Sequence, residues 1–192
     1  MTAEAIQAAK ADIEATGDLL ERAMKLAGLL TTLFRQRGFP LVVVGGSAVE
    51  FYTEGGYMSG DVDFCRRTLN GPSLRMVRDV LLPLGGKCIG RSWMVCGIFV
   101  DMLGVVENET SKPYRELETP FGTVSLLPPE LALVERVFYA MDSDECRPAA
   151  VQMMASALED RDFDWAEAER LADLPSFKVL SELRTLKAEV AK

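Results

Sequence analysis

The feature that most constrains the fold is a run of four apolar residues followed by two glycines, "LVVVGG" at residues 41–46. A strand that is apolar on both faces is typical of a sheet that is covered on both sides. The glycines allow a sharp turn and a close approach to the backbone at the end of that strand. The residues that follow, "SAVEFYT" at 47–53, favour a short helix. The stretch therefore predicts a strand–turn–helix unit within an α/β fold.

Helical periodicity is found on both sides of this unit. Apolar residues recur every three or four positions through the first 37 residues, where Asp18 is placed to cap a helix. From Pro128 onward the same period holds, and its first stripe comprises Leu131, Val134, Val137, Phe138 and Met141. We therefore predict an N-terminal helical segment (1–37), a sheet-containing domain (38–127) and a helical C-terminal region (128–192).

The central region is predicted to hold several strands and one helix. The strand segments are "GDVDFC", "KCIG", "SWMVCG" and "IFVDMLGVV", with a hairpin around Pro120-Phe121-Gly122. Residues 71–85 form an amphipathic pattern, whose inward positions are Leu74, Val77, Val80 and Leu81. The predicted fold class is α/β (α+β), a mixed β-sheet flanked by helices.

The chain has no histidine among its 192 residues, which narrows the chemistry it can perform. Ser-His-Asp and Cys-His nucleophile systems are excluded, as is histidine as a general base. Acid–base and metal chemistry would therefore depend mainly on carboxylates. The four cysteines have no C-x-x-C spacing, so we expect reduced, packed thiols and no structural zinc site.

The net charge of −8 argues against a broad surface for nucleic acid, because phosphates are neutralised by clustered Lys and Arg. The longest basic run is Arg66-Arg67, which leaves contact with one RNA end open but predicts no binding of extended duplexes. No apolar run approaches the ~20 residues that span a bilayer. The N-terminus also lacks a signal-peptide pattern. We therefore expect a cytoplasmic protein that makes no membrane contact.

Three aspartates are candidates for a metal site. Asp61 and Asp63 lie two positions apart on a predicted strand, so their carboxylates point to the same face. Like charges repel unless a cation lies between them, and Mg²⁺ is the usual one near phosphates. Asp101 interrupts an apolar strand, with Phe99 and Leu103 on its side, and an acid there is costly to bury unless it is partnered. A neighbouring strand would bring the three together; the alternative is solvated aspartates at strand ends.

The double glycine is a candidate phosphate site. Gly45, Gly46 and the start of the next helix would present backbone N–H groups and the positive end of a helix dipole. Ser47 can add a hydroxyl group. Neither a P-loop nor a G-x-G-x-x-G motif is present, and a plain turn is the alternative.

The order of these motifs, "VVVGGSA", then "SGDVDFC", then "IFVDMLG", resembles the nucleotidyltransferase domain of the DNA polymerase beta superfamily. Within that superfamily, a closer likeness is to the small prokaryotic members, including those of toxin–antitoxin and abortive-infection loci. The resemblance covers roughly residues 38–107. A weaker likeness continues in the helical tail at "LPPELALVERV" and "EDRDFDWAEAERLADL". It implies that the predicted sheet is of the nucleotidyltransferase type.

Residue roles follow from this resemblance. It implies that the triphosphate of an NTP is contacted by Gly45, Gly46 and Ser47. It also implies that Mg²⁺ or Mn²⁺ is bound by Asp61, Asp63 and Asp101, the last of which would help to deprotonate the acceptor. Many relatives carry a lysine in the first helix after the domain, where this chain has Glu135 and Arg136. Other candidates for phosphate contact are Arg66, Arg67, Lys87 and Arg91.

The implied activity is metal-dependent transfer of a nucleoside monophosphate from NTP to a macromolecular hydroxyl. The acceptor would be an RNA 3′ end or a Ser, Thr or Tyr of a partner protein. The apolar stripes of the tail would suit a homodimer or a toxin–antitoxin pair, with a hydrophobic core as the alternative. Two other functions stay open: a catalytically inactive nucleotide-binding or protein-interaction module, and a small-molecule transferase that modifies an antibiotic. The acids considered for such an acceptor pocket are Glu50, Glu54, Glu107 and Glu109.

Overall fold

A computed structural model describes residues 1–106 and 110–192. Its helices are α1 (Ala3–Ala15), α2 (Leu19–Arg35), α3 (Gly45–Tyr52), α4 (Leu74–Leu81), α5 (Pro129–Asp142), α6 (Arg147–Glu159), α7 (Trp165–Ala172) and α8 (Leu180–Val190). Its strands are β1 (Leu41–Val43), β2 (Asp61–Arg66), β3 (Lys87–Ile89), β4 (Ser92–Val95), β5 (Ile98–Val105), β6 (Arg115–Thr119) and β7 (Gly122–Leu126). In this described part of the chain, no helix has the length and apolar character to cross a membrane.

The strands form one mixed sheet in the order β3-β4-β5-β2-β1-β7-β6. Strand β1 pairs antiparallel with β2 and parallel with β7, and β2 pairs parallel with β5. The predicted α/β class, with a mixed sheet flanked by helices, is therefore confirmed. Strands β3 and β4 lie at one edge of the sheet, beyond β5. Strands β2 and β5 are therefore neighbours in the sheet, although β3 and β4 separate them in the sequence.

Helices cover the two faces of this sheet differently. On the face that we call the first face, α1, α2 and α4 pack against strand residues that include Leu41 and Val43. On the second face, α5 to α8 pack against Val42, Val44 and Leu127. Strand β1 is thus buried on both sides, as its apolar run predicts.

Local signals account for most helix boundaries. The side chain of Asp18 accepts a hydrogen bond from the N–H of Glu21 at 2.8 Å, which confirms the predicted cap of α2. Helix α3 begins at Gly45. The two glycines are therefore part of the first helical turn rather than a separate turn before it.

Two residues predicted to face inward are exposed instead. Leu74 is 84% exposed, although Val77, Val80 and Leu81 of the same helix are buried as predicted. Met141 is 54% exposed, near the end of a helix in which Leu131 and Val134 are fully buried. Both lie at helix ends, and periodicity identifies the apolar side of a helix without showing where the covering elements stop.

Candidate metal and nucleotide site

Three carboxylates converge where β2 and β5 run side by side. Asp63 and Asp101 are direct partners across the two strands, and Asp61 lies two residues before Asp63 on the same face. One carboxylate oxygen from each of the three lies within 4.8 Å of the others, and all three residues are half-buried. The predicted meeting of these side chains is therefore confirmed. Clustered carboxylate oxygens are the ligands that hard divalent cations such as Mg²⁺ prefer, so the donor set fits such an ion.

The clustering of the three carboxylates affects the pKa of Asp63. Burial raises the pKa of its carboxyl group to about 7, and the charges of Asp61 and Asp101 act in the same direction. The positive charge of Arg136 partly opposes this rise in pKa. Without a cation the three negative charges destabilise one another, and a bound divalent ion would reverse that effect.

The expectation that the apolar segment around Asp101 is buried on the side of its carboxylate is wrong. Phe99 and Leu103 lie on its side of β5, as expected from strand alternation, but they are 39% and 47% exposed. The apolar sequence around Asp101 therefore borders an open face of the sheet, and the carboxylate is not enclosed by a core.

Glycine is favoured at the start of α3, because Gly45 has a left-handed φ and the backbone there approaches two polar side chains closely. Gly45 has a φ of +67°, and a Cβ atom at this position would clash with Oδ2 of Asp63. A Cβ atom on Gly46 would lie 2.5 Å from Oγ of Ser59. The first N–H groups of a helix have no acceptor within the helix and favour anions. This end of α3 can therefore bind a phosphate next to a metal ion.

The side chain of Ser47 lies in the protein interior, whereas its motif suggests a hydroxyl group that faces a bound phosphate. Its side chain is fully buried, and its hydroxyl oxygen accepts a hydrogen bond from the N–H of Asp63 at 2.7 Å. The predicted contact of this hydroxyl with a triphosphate does not fit its position. The backbone N–H of Ser47, in the first turn of α3, keeps the residue a candidate for phosphate contact.

Buried polar groups hold the loop between α3 and β2. Glu50 is buried and accepts a hydrogen bond from the N–H of Ser59 at 2.9 Å. Burial raises the pKa of Glu50, while hydrogen bonds from the backbone of Ser59 and Gly60 lower it. The hydroxyl of Ser59 in turn donates to Asp61. A chain of contacts thus runs from the interior of α3 to the first carboxylate of the triad.

A cleft of about 460 Å³ extends from these groups to helix α5. Gly45 and Asp63 line one wall, and Arg136 and Tyr139 line the wall formed by α5. The guanidinium carbon of Arg136 lies 4.9 Å from the centre of the Tyr139 ring. Sequence reasoning considered Arg136 but missed Tyr139. The signal was present, because these positions are three apart and share one side of the helix, away from the predicted apolar stripe.

The other predicted phosphate ligands do not line this cleft. Arg66 donates to the carbonyl oxygens of Gly104 and Leu69, each at 3.3 Å. The guanidinium carbon of Arg67 lies 4.4 Å from the centre of the Tyr114 ring. The remaining two, Lys87 and Arg91, lie in β3 and in the turn between β3 and β4.

The acids considered for an antibiotic pocket are also dispersed. Glu50 is buried and hydrogen-bonded, as described above. Glu54 lines a separate cleft of about 280 Å³, together with Arg115 and Asp160. Glu107 and Glu109 lie outside the described residues. The described part of the chain therefore contains no acidic acceptor pocket built from these predicted residues.

The sequence matches no protein-family model and no curated protein. Solved structures do match. An antigenic nucleotidyltransferase-like protein from Paracoccidioides brasiliensis has a TM-score of 0.51 at 12% identity, over 88% of this chain and 94% of that chain. ANT(2″)-Ia in complex with adenylyl-2″-tobramycin has a TM-score of 0.44 at 15% identity, over 88% and 97% of the two chains. The solution structure of this antibiotic-resistance factor has a TM-score of 0.40 at 16% identity, over 88% and 92%. The first of these likenesses shows that the chain has a nucleotidyltransferase-like fold.

Proposed function

We propose that this protein is a divalent-metal-dependent nucleotidyltransferase that moves a nucleoside monophosphate from NTP to a hydroxyl group of a macromolecule. The observation that carries the proposal is the contact between the start of α3 and the carboxylate triad, where a Cβ atom on Gly45 would clash with the carboxylate of Asp63. The reaction requires a triphosphate and metal ions at one point, and an anion-binding helix end and a set of metal-binding oxygens meet here.

The triphosphate would bind in the cleft between α3 and α5. The N–H groups of Gly45, Gly46 and Ser47 would hold phosphate oxygens at the helix end. Arg136, on the opposite wall, would add a positive charge. The ring of Tyr139 would offer a surface on which the base stacks.

The metal site would be formed by Asp61, Asp63 and Asp101 with Mg²⁺ or Mn²⁺. When bound, such an ion supplies neutralisation of the triphosphate and activation of the attacking oxygen. Strand β2 lies between β5 and β1, so Asp101 is on the far side of the triad from Gly45. Asp101 would therefore meet the acceptor hydroxyl and take its proton, while Asp63 stays nearest the triphosphate.

A narrower class of nucleotidyltransferase is supported by the sequence resemblance alone. It favours the small prokaryotic nucleotidyltransferases of toxin–antitoxin and abortive-infection loci, acting in the cytoplasm. A homodimer or a toxin–antitoxin pair is part of the same proposal. Copurification of the chain with its genomic neighbour, followed by mass measurement of the complex, tests this part separately.

Labelled nucleotides test the proposed reaction directly. The protein is incubated with Mg²⁺ or Mn²⁺, total RNA and cell lysate, using NTP labelled at either the α-phosphate or the γ-phosphate. We expect transfer of the α-label only, with release of pyrophosphate. Transfer of the γ-label alone would indicate a kinase, and NTP binding without any transfer would indicate an inactive binding module.

A pair of aspartate variants locates the reaction. Asp63→Asn removes one carboxylate of the triad and is expected to abolish metal-dependent NTP binding and transfer. Asp79→Asn is the matched control, because Asp79 is an exposed residue of α4, which packs on the first face of the sheet. Equal loss in both variants would contradict the assignment of the site.

A further inference from the structure

Strand β6 forms one edge of the sheet. The strand order ends with β7 and β6, so within the described chain β6 pairs with β7 alone. An edge strand presents a row of unpaired N–H and C=O groups, onto which a strand of another chain can add. The opposite edge strand, β3, has three residues, whereas β6 has five. Strand β6 is therefore the longer of the two places where the sheet can be extended.

The turn between β6 and β7 determines which backbone groups of β6 face outward. Thr119 pairs with Gly122 across a turn that begins at Pro120. A non-hydrogen-bonded pair there would require the N–H of residue 120, which proline lacks, so these two residues form a hydrogen-bonded pair. The two kinds of pair alternate along an antiparallel ladder. Thr119 and every second residue before it therefore bond to β7, and the N–H and C=O groups of Glu116 and Glu118 point to the open edge.

The side chains of the same two glutamates form an acidic row along this edge. Glu116 and Glu118 share one face of β6, and both are exposed. Their carboxylates accept hydrogen bonds from the hydroxyl groups of Ser125 at 2.8 Å and Thr123 at 2.9 Å. Neither carboxylate forms an ion pair with any residue that the structure describes. The outward-facing backbone groups and two carboxylates without a cation thus belong to the same residues.

A cleft of about 280 Å³ adjoins the first half of β6 and adds further acids. Its charged lining residues are Glu54, Arg115, Glu116 and Asp160. Arg115 pairs with Asp160 at 3.5 Å, so the other two acids have no cation among the lining residues. A second arginine, Arg35 of α2, donates to a carbonyl oxygen of β7 at 3.2 Å. With both arginines counted, carboxylates still outnumber these cations around β6.

A second copy of this chain does not fit this edge. Two β6 strands paired antiparallel about Leu117 would place Glu116 opposite Glu118 twice, and pairing centred on either glutamate would place it opposite its own copy. Like charges directly opposite each other destabilise a strand pair, and charged edge strands commonly resist such self-pairing. The phosphates of a polynucleotide would meet the same carboxylates. The edge is instead complementary to a strand that carries cations.

We propose that β6 is a docking edge for an extended basic segment of a partner protein, which adds to the sheet as a further antiparallel strand. Its residues opposite Glu116 and Glu118 are lysine or arginine, because directly opposed residues share a face and opposite charges stabilise the pair. The residue between them is apolar, because it lies opposite Leu117, which packs on the core of the first face. The surface is independent of the proposed function, since β1 and β7 separate β6 from β2.

Binding is tested by fluorescence anisotropy with a labelled peptide of about nine residues in which lysine and valine alternate. An acidic chain attracts such a peptide by charge alone, so two N-methylated versions of equal charge are compared. In the proposed pairing the lysine amides bond to β6 and the valine amides point away from it. We expect methylation of the lysine amides to weaken binding about tenfold or more, and methylation of the valine amides to leave it unchanged.

Equal binding of the two methylated peptides would overturn the docking edge. Weakening by valine methylation alone would overturn the antiparallel direction of the added strand.

Charge reversal tests the two glutamates. The double variant Glu116→Lys/Glu118→Lys should lose the lysine–valine peptide and bind a glutamate–valine peptide, which the wild type should not bind. Binding of that second peptide also shows that the variant is folded. Asp79→Lys/Glu189→Lys is the matched control, because both residues are exposed on helices and the change in net charge is the same. We expect this control to keep the wild-type preference. Equal loss in the two double variants would show that net charge alone governs binding, and would overturn the assignment of this edge.

Discussion

The hydroxyl oxygen of Ser47 accepts a hydrogen bond from the backbone N–H of Asp63 at 2.7 Å. This bond joins the first turn of α3 to the strand that carries two carboxylates of the triad. The N–H of Val44 reinforces the junction by donating to the carbonyl oxygen of Asp63 at 3.0 Å. The phosphate-binding end of α3 and the metal-binding strand are therefore held together by the backbone of Asp63.

Ser47→Ala tests the strength of that junction. The change leaves the buried N–H of Asp63 without its acceptor, so we expect a loss of about 1–3 kcal/mol in the free energy of unfolding. Urea denaturation measures it, with Ser181→Ala as an exposed control expected to change stability by less than about 0.5 kcal/mol. Equal stability of both variants would show that the Ser47 bond contributes nothing.

Gly45→Ala tests the close approach of the helix to Asp63. Two effects add at this position, a left-handed φ that costs about 1–2 kcal/mol and a clash with the carboxylate. Gly38→Ala is the matched control, because Gly38 has a φ of +82° but has no atom within 4 Å of its Cβ position. We expect both variants to lose stability and only Gly45→Ala to lose metal-dependent NTP binding. Loss of NTP binding in both would argue against a local effect.

Arg136→Ala tests the α5 wall of the cleft. Removing a charged donor to a phosphate costs about 1.5–3 kcal/mol, which corresponds to weakening NTP binding about tenfold or more. Arg136→Lys should recover part of this loss, because the charge is kept and the planar guanidinium group is not. The measurement is a titration with a non-hydrolysable NTP analogue, with Arg147→Ala as the control. An unchanged dissociation constant would remove Arg136 from the site.

Glu167 gives a prediction on pH and stability. This buried carboxylate accepts hydrogen bonds from Ser111 and Thr110 and pairs with Arg170 at 2.7 Å, and the pairing lowers its pKa to about 2. A lowered folded-state pKa means that its contribution is complete above the ordinary value of 4.5 and is lost as pH falls toward 2.

We therefore expect Glu167→Gln to lower the free energy of unfolding by about 1–3 kcal/mol at neutral pH, and by much less near about pH 2.5. Urea denaturation of both proteins at the two pH values measures the difference. Glu159→Gln, at an exposed position at the end of α6, serves as the control. A deficit that stays constant with pH would contradict the account of this carboxylate.

The triad shows which features of the site could be predicted from the sequence. The i and i+2 spacing of Asp61 and Asp63 puts them on one face of a strand, and the structure agrees. The position of Asp101 depends on the order of the strands in the sheet. Because β3 and β4 lie between β2 and β5 in the sequence, the local residue pattern does not show that β2 and β5 are neighbours. The sequence could therefore offer the meeting of the three carboxylates only as one of two alternatives, the other being solvated aspartates at strand ends.

The errors have a common physical origin. The apolar segment around Asp101 suggested a buried strand, but Phe99 and Leu103 are exposed, and among the described residues the buried cluster formed by α5 to α8 includes no residue of β5. Ser47 follows the glycines and suggested a phosphate ligand, yet its hydroxyl is needed inside. Residue type and spacing report which groups are neighbours, but long-range packing decides which of them reach solvent.

The proposed role of the carboxylate triad is tested most directly by measuring Mn²⁺ binding and α-label transfer on one set of variants. Mn²⁺ binding is followed by electron paramagnetic resonance, with NTP present, for the wild type and for asparagine variants of Asp61, Asp63, Asp101 and Asp79. We expect the three triad variants to lose both Mn²⁺ binding and transfer, and Asp79→Asn to keep both. Undiminished Mn²⁺ binding and α-label transfer in Asp63→Asn would contradict it.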